Sequence, residues 1–456
     1  MTLEHSPWQQ GAIIPLEITG LNHSGEGLGR YQERVVFVPD AVPGDRLLVR
    51  LIHLKAQYGQ GQIQEILHSS EHRIRPACIV ADKCGGCQWQ HIDYAYQVQS
   101  KQQQIMDALT RIGGFAELPI APLLIPDQSL AYRNKVTYPL ARSSQGQVQA
   151  GYYRRHSHHL INLNQCPVQE VAFNPLLKEI KRDIQDQGWS IYNEQERRGK
   201  LRHLSLRLGR RTGEMLLTLI STSPNLPNLK KQAEIWLERY PHLVGVALNL
   251  QPEPNNVIFG PETRAIAGKN SCREIFADLQ FDLRPDTFFQ VHTEAAEALL
   301  ELLRQQLSLT GQEVLLDAYC GVGTFTLPLA QQVKTAIGLE IHPQAVEQAM
   351  QNAQLNQITN VTFQTGRVED LLPQLTEHPD IVLLDPPRKG CDRRVIETLK
   401  QLSPAQISYI SCQPSTLARD LKHLCQDQTY QIHWIQGADF FPQTAHVECA
   451  VILNRR

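Results

Sequence analysis

The sequence has 456 residues, a formal net charge of −2 and an apolar content of 42%, and 20% of its residues are charged. An ordinary apolar content with a small net charge excludes a disordered chain, and no apolar run approaches the ~20 residues that cross a bilayer, which excludes a membrane partner. The length predicts about three domains, and the opening MTLEHSPWQQ, which lacks a basic start followed by an apolar stretch, predicts a cytoplasmic protein.

The first predicted elements are short strands within residues 11–67, where β-branched residues alternate with turn-forming segments such as SGEGLGR and DAVPGD. Four or five strands in this short stretch predict a small barrel of the OB type, although a generic β module fits the strand pattern equally well. The strand candidates are Ile13–Thr19, Arg34–Val38, Arg46–His53 and Gln60–Ile66.

Cysteines cluster directly after these strands. Cys78, Cys84 and Cys87 lie in CIVADKCGGC, and Cys166 lies further on, in NLNQCPVQ. The ten cysteines of the chain are too few for a disulfide scaffold. In a reducing compartment, clustered cysteines indicate metal binding or catalysis.

The middle of the chain mixes strands and helices. Residues 97–111 have apolar residues at helix-like spacing. Leu201–Leu208 alternates apolar and polar residues, which predicts a half-buried strand, and the following MLLTLIS completes a hairpin.

Positive charge is concentrated in the same region. Residues 131–215 carry 15 Lys and Arg against 7 Asp and Glu, a net of +8. Two stretches, YYRRHSHH (152–159) and RRGKLRHLSLRLGRR (197–211), interleave basic, aromatic and apolar residues. This asymmetry predicts a phosphate-binding surface, and a solvated face is an equally good interpretation.

After a predicted helix from Thr293 to about Leu307, strands and helices alternate. Helices between successive strands indicate a mostly parallel, doubly wound sheet, whereas the short connection before the last strand predicts that the seventh strand is antiparallel. Residues 290–456 are acidic, with 12 Lys and Arg against 18 Asp and Glu, a net of −6. The strand candidates are VLLDA (314–318), AIGLE (336–340), VTFQ (361–364), IVLLD (381–385), ISYIS (407–411), IHWI (432–435) and VECAVIL (447–453).

Two strand ends indicate a binding site. In VLLDAYCGVGTF, Gly321 and Gly323 allow close approach of a ligand to the backbone, and Glu340, 19 residues after Gly321, can accept both ribose hydroxyls of a nucleoside. In LLDPPRKG, Asp385 falls at the carboxyl edge of the sheet, where ligands of such folds bind. Tight packing of the glycine turn is the alternative interpretation.

Two further residues indicate catalysis. Cys412 directly follows a strand and precedes a helix, so its thiol could have a lowered pKa and act as a nucleophile. Glu448 lies in the otherwise apolar HVECAVIL, where burial would raise the carboxyl pKa towards that of a general base. A structural, buried cysteine is the alternative for Cys412, and it is the interpretation retained for Cys272, Cys320, Cys391, Cys425 and Cys449.

At this point the motifs taken together resemble a known family. DAYCGVGTF, GLEIHPQAVEQA, DPPRKG, SYISCQPSTLARDL and FFPQTAHVE resemble, in order, the motif series of the S-adenosylmethionine-dependent 5-methyluridine RNA methyltransferases. FFQVH (288–292) matches the motif that precedes the family's cofactor domain, and residues 11–67 resemble the TRAM domain, an RNA-binding OB-like barrel.

The resemblance implies a multidomain fold. Residues 1–68 would form the TRAM barrel, and residues 69–285 would form a central α+β domain that carries an iron–sulfur cluster and binds RNA. Residues 286–456 would form an α/β, Rossmann-like class I methyltransferase domain with a seven-stranded sheet. A helix at 97–115 would pack on the catalytic domain.

The resemblance also implies a [4Fe-4S] cluster, whose four ligands would be Cys78, Cys84, Cys87 and Cys166. Four thiolates suit zinc and iron–sulfur clusters alike, so the preference for iron rests on the resemblance. The C-x5-C-x2-C spacing differs from the CxxxCxxC of radical enzymes, which favours a structural role over reductive cleavage of a cofactor.

The implied reaction transfers a methyl group from S-adenosylmethionine to C5 of a uridine in RNA. Attack of the Cys412 thiolate on C6 would make C5 nucleophilic, and Glu448 would then remove the C5 proton. The target base has to leave its stack to reach the thiol. The residues implied to bind the cofactor are Gln290, Tyr319, Glu340 and Asp385.

Several alternatives stay open at this stage. Within the family that the chain resembles, a TRAM domain with a cysteine cluster implies large-subunit (23S) ribosomal RNA as the substrate, and a T-loop uridine of transfer RNA is the alternative. The enzyme is expected to be a monomer. A non-catalytic RNA-binding protein would need neither Cys412 nor Glu448. An amino-group methyltransferase prefers an aromatic residue where Arg388 follows the two prolines, and a cytosine-C5 methyltransferase has a Pro-Cys pair that is absent around Cys412.

Overall fold

The computed structural model of the chain describes residues 8–155 and 157–456. The first seven residues of the predicted barrel domain, and His156 within the basic stretch 152–159, therefore lie outside the described residues. The chain divides into two compact units. The first comprises the described residues of Met1–Gln104, Tyr153–His158 and Phe441–His446, and the second comprises Ile105–Tyr152, His159–Phe440 and Val447–Arg456.

The first unit contains a closed five-stranded barrel, which confirms the OB-like prediction. Its first strand alternates strictly: Ile14, Leu16 and Ile18 face the barrel core, while Pro15 and Glu17 face outward. The strands join in the order β1-β2-β3-β5-β4, and pairing of β1 with β4 closes the barrel. These strands are β1 (Ile13–Leu21), β2 (Gly27–Tyr31), β3 (Arg34–Val38), β4 (Arg46–Leu54) and β5 (Tyr58–His68).

The centre of the chain forms a second, seven-stranded sheet in the order β13-β12-β11-β10-β7-β8-β9, and β14 and β15 form a separate hairpin. The predicted hairpin is present as β10 paired with β11. The elements are α1 (Tyr94–Ala108), β6 (Ile120–Leu124), β7 (Lys135–Arg142), β8 (Val148–Tyr153), β9 (Leu160–Asn162), α2 (Phe173–Asp186), β10 (Leu201–Leu208), β11 (Met215–Ser221), α3 (Leu229–Arg239), β12 (Leu243–Leu250), β13 (Glu262–Gly268), β14 (Cys272–Phe276) and β15 (Leu279–Leu283).

The prediction of a half-buried strand at Leu201–Leu208 is wrong, because β10 lies inside this sheet and almost all of its residues are buried on both faces. Its arginines consequently point into the protein. Arg202 forms an ion pair with Glu194, and Arg207 donates a hydrogen bond to the carbonyl of Thr287. Buried cations need such partners, and in this case the backbone supplies many of them.

The last part of the chain forms the predicted α/β sheet, in the order β18-β17-β16-β19-β20-β22-β21-β6. All seven predicted strands are present, and β22 is antiparallel to both neighbours, as expected. The elements are α4 (Thr293–Gln306), β16 (Val314–Ala318), α5 (Thr326–Ala330), β17 (Thr335–Glu340), α6 (Pro343–Leu355), β18 (Val361–Thr365), α7 (Val368–Leu371), β19 (Ile381–Leu384), α8 (Arg393–Leu402), β20 (Gln406–Ser411), α9 (Pro414–Cys425), β21 (Tyr430–Ala438) and β22 (Glu448–Arg455).

The predicted number of strands in this sheet is wrong: it has eight strands, not seven. The additional strand is β6, which lies far upstream in the sequence and pairs in parallel with the edge strand β21. It covers backbone groups that would otherwise be exposed at the sheet edge. A second upstream segment, the π-helical turn Leu109–Gly113, contacts helix α9.

No helix in the part of the chain that the structure describes is long and apolar enough to cross a membrane.

Candidate active site

The register of the central parallel strands brings three predicted site residues to one edge of the sheet. Ala318, the last residue of β16, pairs with Leu339 of β17 and with Leu384 of β19. The next residue of each strand therefore falls in the same row. These residues are Tyr319, Glu340 and Asp385. The order of the strands reverses between β16 and β19, and this is where open α/β sheets bind ligands.

The glycine turn after β16 is shaped by hydrogen bonds to its neighbours. Tyr319 has a φ of 77°, a left-handed conformation that is uncommon outside glycine and that functional sites tend to retain. Glu340 accepts a hydrogen bond from the backbone N–H of Gly321 at 3.1 Å and another from His342 at 2.9 Å. Gly321 itself has a φ of 56° and open space where a Cβ would lie. The turn thus exposes its backbone beside the carboxylate of Glu340.

Two carboxylates at this edge are held in an environment that disfavours their charge. Burial raises the pKa of Asp317, in β16, to about 7, and the nearby Glu340 contributes to the same shift. Burial, together with Asp317, also raises the pKa of Asp385 to about 7. A bound cation would relieve this repulsion. The residues present therefore fit a positively charged nucleoside cofactor such as a sulfonium.

The antiparallel strand β22 brings Glu448 to the same edge as Cys412. Ser411, the last residue of β20, pairs with Cys449 of β22. Because β22 runs in the opposite direction, the residue after Ser411 and the residue before Cys449 face one another. Cys412 is half-buried and Glu448 is buried. A thiol and a carboxyl group, the two groups predicted for catalysis, are thus neighbours.

The expectation of a lowered thiol pKa at Cys412 is wrong for this site. Burial raises the pKa of Cys412 to about 11, and the carboxylates of Glu448 and Asp385 contribute to the increase. Arg388 opposes them, both by its charge and by a side-chain hydrogen bond to the thiol. Burial, together with the two carboxylates, therefore outweighs the cationic neighbour of this thiol.

The raised pKa expected for Glu448 is found in the structure, and its role as a base stays a prediction. Burial raises its pKa to about 8, Asp385 contributes to the increase, and Arg388 opposes it. A carboxyl group with a pKa near neutral pH is suited to accept a proton from carbon and to release it afterwards.

Gln290 lies in a loop whose backbone carbonyls accept hydrogen bonds from Asn134 and Lys135, at the start of strand β7. The side-chain amide of Asn134 donates a hydrogen bond to the carbonyl of Gln290 at 2.9 Å, and the backbone N–H of Asn134 donates to the carbonyl of Val291 at 3.0 Å. Lys135 donates to the carbonyls of Pro285 at 2.9 Å and Thr287 at 3.4 Å. Gln290 is buried, so its side chain has a defined place in the second unit.

Sequence reasoning missed two groups that bear on the site. In the sequence, Arg388 argues only against an amino-group methyltransferase, yet in the structure it opposes the increase in the pKa of both Cys412 and Glu448. Asp420, on α9, carries no prediction from the sequence, although it is buried and accepts a hydrogen bond from the loop that carries Arg388. The signal available in the sequence was an arginine directly after the two prolines at a strand end.

The cysteines assigned to a cluster lie in both units. In the first unit, Gln90 joins two of them: its side chain accepts from the N–H of Cys78 at 3.0 Å and donates to Sγ of Cys87 at 3.5 Å. Burial raises the pKa of the Cys84 thiol, and the neighbouring Cys78 contributes to the increase. Cys166 is half-buried in the second unit.

Within residues 8–155 and 157–456, no group of three or more Cys, His, Asp and Glu side chains is arranged to hold a metal ion. The [4Fe-4S] cluster expected at Cys78, Cys84, Cys87 and Cys166 is therefore not shown and stays a prediction.

The basic stretch 197–211 contributes less exposed charge than its sequence predicts. Besides the buried Arg202 and Arg207, Arg210 forms ion pairs with Glu170 and Glu294, and Arg211 forms one with Glu297. The stretch keeps Arg197 and Arg198 exposed. A count of charges along the sequence thus overestimates the surface available to phosphates.

The chain matches two family models. Residues 275–456 match the family described as tRNA (Uracil-5-)-methyltransferase, and residues 7–63 match the TRAM domain. The second match agrees with the closed five-stranded barrel.

Relatives match over almost the whole chain. A protein of Synechocystis sp., described as an uncharacterized RNA methyltransferase, is 63% identical over 447 residues, which are 98% of this chain and 96% of that protein. A Bacillus cereus protein with the same description is 36% identical over 452 residues, 98% of each chain.

One solved structure is similar over the full length. The crystal structure of Pyrococcus abyssi tRNA (uracil-54, C5)-methyltransferase in complex with S-adenosyl-L-homocysteine is 26% identical, with a TM-score of 0.78, over 96% of this chain and 100% of that one. Together with the motifs and the sheet-edge site, these matches establish that the chain belongs to the S-adenosylmethionine-dependent RNA (uracil-5-)-methyltransferase family.

Proposed function

We propose that this enzyme methylates C5 of a specific uridine in RNA, with Cys412 as nucleophile and Glu448 as general base. The observation that carries the proposal is the pairing of Ser411 with Cys449, which makes the thiol and the carboxyl group neighbours at the ligand-binding edge of the sheet. The environment of Glu448, whose pKa is raised to about 8, suits a base that takes a proton from carbon.

The reaction needs a covalent step because C5 of uracil is a poor nucleophile. The Cys412 thiolate forms an Sγ–C6 bond, and the electron pair of the C5–C6 double bond moves into an enolate that is nucleophilic at C5. Glu448 later removes the proton from the methylated C5. The electrons of that C–H bond restore the C5–C6 double bond and expel the Cys412 thiolate.

Four side chains would hold the cofactor: Gln290, Tyr319, Glu340 and Asp385. When bound, S-adenosylmethionine would supply an electrophilic methyl group to C5, and the electron pair of the broken S–CH3 bond would stay on sulfur, leaving S-adenosylhomocysteine. Glu340 would hold the ribose hydroxyls beside the glycine turn, and Asp385 would lie near the methionine end or the target base. The buried carboxylates of Asp317 and Asp385 favour a ligand that carries positive charge.

The favoured substrate is a uridine of 23S ribosomal RNA, on the grounds of the TRAM domain and the cysteine-containing segment that follows it. A second candidate is a T-loop uridine of transfer RNA. This alternative is supported by the Pyrococcus abyssi relative, whose described substrate is uracil 54 of tRNA. RNA loops are recognised by shape and by splayed bases, which residue types alone do not specify.

The proposed function is tested with the purified chain, S-adenosylmethionine carrying a labelled methyl group, and unmodified 23S rRNA and tRNA transcripts in parallel. We expect one transcript to acquire 5-methyluridine at a single position that mass spectrometry can map, and the same position to lack the modification in RNA from a deletion strain. Methylation at a nitrogen or at cytosine would contradict the proposed chemistry. Methylation of tRNA alone would replace the favoured substrate by the second candidate.

We further propose that a [4Fe-4S] cluster with a structural role is bound by Cys78, Cys84, Cys87 and Cys166. The proposal is supported by the family resemblance and by the hydrogen bonds that Gln90 forms with both Cys78 and Cys87. Protein purified without oxygen should absorb visible light and contain about four irons per chain. Replacing Cys84 with serine should remove the colour, whereas Cys425→Ser, outside this set, should keep it. Colourless wild-type protein containing one zinc would contradict the iron assignment.

A further inference from the structure

The loop between β19 and α8, residues 385–392, carries two of the three charged groups that face the Cys412 thiol. Asp385 begins the loop and Arg388 lies in its middle, and the third group is Glu448. No regular secondary structure holds residues 385–390. The position of the Arg388 guanidinium therefore depends on what fastens this loop.

Helix α9, which begins two residues after Cys412, holds this loop in place by hydrogen bonds to its backbone. The guanidinium of Arg419 donates to the carbonyl of Lys389 at 3.0 Å. The hydroxyl of Thr416 shares its proton between the carbonyl of Arg388 at 3.2 Å and that of Gln413 at 3.1 Å. The same helix thus follows the nucleophile in the chain and binds the loop that carries its cationic neighbour.

Asp420 makes the densest set of these contacts. It is 2% exposed, and its Oδ2 accepts hydrogen bonds from the backbone N–H of Cys391 at 2.9 Å and from the hydroxyl of Tyr409 at 2.6 Å. Its Oδ1 accepts from Nε of Arg419 at 2.8 Å. A buried carboxylate that accepts several hydrogen bonds fixes the relative positions of its donors, because neither oxygen can turn away without losing a partner.

The loop comes close to the Asp420 carboxylate at Gly390. Gly390 has a φ of 78°, and a Cβ there would lie 2.5 Å from Oδ2 of Asp420 and 2.6 Å from Nη2 of Arg419. Only glycine combines that conformation with that approach. A turn in which the N–H of Gly390 donates to the carbonyl of Pro387 at 2.8 Å connects this contact to Arg388.

We propose that Asp420 is a positioning residue that holds the 385–392 loop so that the Arg388 guanidinium stays against the Cys412 thiol. The proposal rests on the proposed function, because it concerns the nucleophile of that reaction. Arg388 favours the thiolate, whereas Glu448 and Asp385 disfavour it. Losing the loop position should therefore leave the two carboxylates unopposed and make the thiolate harder to form.

The test is the pH dependence of covalent trapping on RNA that contains 5-fluorouridine, measured in a single turnover with wild type, Asp420→Asn, Arg388→Gln and the double variant. Fluorine at C5 prevents release, so trapping reports on the Cys412 step without the proton abstraction by Glu448. We expect Asp420→Asn to shift the profile to higher pH by about one unit and to slow trapping about tenfold at neutral pH. Arg388→Gln should do the same.

Two results separate positioning from other roles. If Asp420 acts through Arg388, the double variant should trap RNA no more slowly than Arg388→Gln, because the two changes remove one interaction. A double variant whose trapping rate falls by the product of the two single effects would overturn the proposal. If Asp420 acted only as a distant negative charge, its removal should shift the profile to lower pH instead, which would also overturn it.

Matched variants keep the result interpretable. Asp427→Asn removes an exposed carboxylate just beyond the end of the same helix, where it pairs with Lys400, and should leave the profile unchanged. Tyr409→Phe removes a single donor to Asp420 and should give a smaller shift in the same direction if Asp420→Asn does not fold. Failure of the wild-type enzyme to trap any RNA would contradict the proposed function itself, whereas normal trapping by Asp420→Asn would overturn only this inference.

Discussion

Replacing Cys412 with alanine is expected to abolish covalent trapping on 5-fluorouridine RNA and to lower methyl transfer by roughly 10³-fold or more, because no other group could attack C6 in its place. Binding of S-adenosylhomocysteine should persist, since Glu340 and Asp385 lie on other strands. Trapping is measured by the shift of the protein–RNA adduct on a denaturing gel, and cofactor binding by calorimetry.

The matched control for this variant is Cys425→Ala. Cys425 is also half-buried, and burial likewise raises its pKa to about 11, but it lies at the far end of α9 from Cys412. This variant should trap RNA normally. Trapping that survives in Cys412→Ala would place the nucleophile on another cysteine.

Replacing Glu448 with glutamine is expected to separate the two halves of the reaction. Cys412 can still attack and C5 can still be methylated, but the proton at C5 has no base, so the adduct should accumulate on ordinary uridine RNA. Turnover should fall by roughly 10²–10⁴-fold, the usual contribution of a general base. A time course of adduct and free product measures both quantities. Loss of adduct together with turnover would show that Glu448 acts before the covalent step.

The same residue predicts a pH dependence. The pKa of Glu448 is raised to about 8, and only its deprotonated form can accept a proton, so release of product should speed up as the pH rises through about 8. The pKa of Cys412, raised to about 11, acts in the same direction, because only the thiolate attacks. Multiple-turnover rates between pH 6 and pH 10 should therefore increase with pH. A rate that falls above pH 8 in folded protein would contradict this assignment.

Much of the fold was predictable because its patterns are local. The barrel strand at Ile13 shows its alternation within nine residues, and the parallel strands are apolar runs separated by helices of ordinary length. The eighth strand, β6, was not predictable in the same way. It is five residues long, contains a proline, and pairs only with β21, which follows it by some three hundred positions in the chain.

The environment of the site residues was less predictable than their identity. Burial of Arg202 depends on β10 having neighbours on both sides and cover on both faces, and an alternating sequence does not encode that. The position of Cys412 before a helix predicts a lowered pKa. Burial raises the pKa instead, and the carboxylates of Glu448 and Asp385, which other strands bring beside the thiol, contribute to the increase.

The order of the motifs, the residue types at each strand end and hence the family can be read from the sequence alone, because these are properties of short segments. That Glu448 faces Cys412 depends on the three-dimensional fold, since it follows from the antiparallel insertion of β22 between β20 and β21. The fold also brings Arg388 beside the thiol and joins Asp420 to the loop that carries Arg388. Pairings of this kind join residues that are distant in the chain, and they are fixed by register and packing, which act only once the sheet has formed.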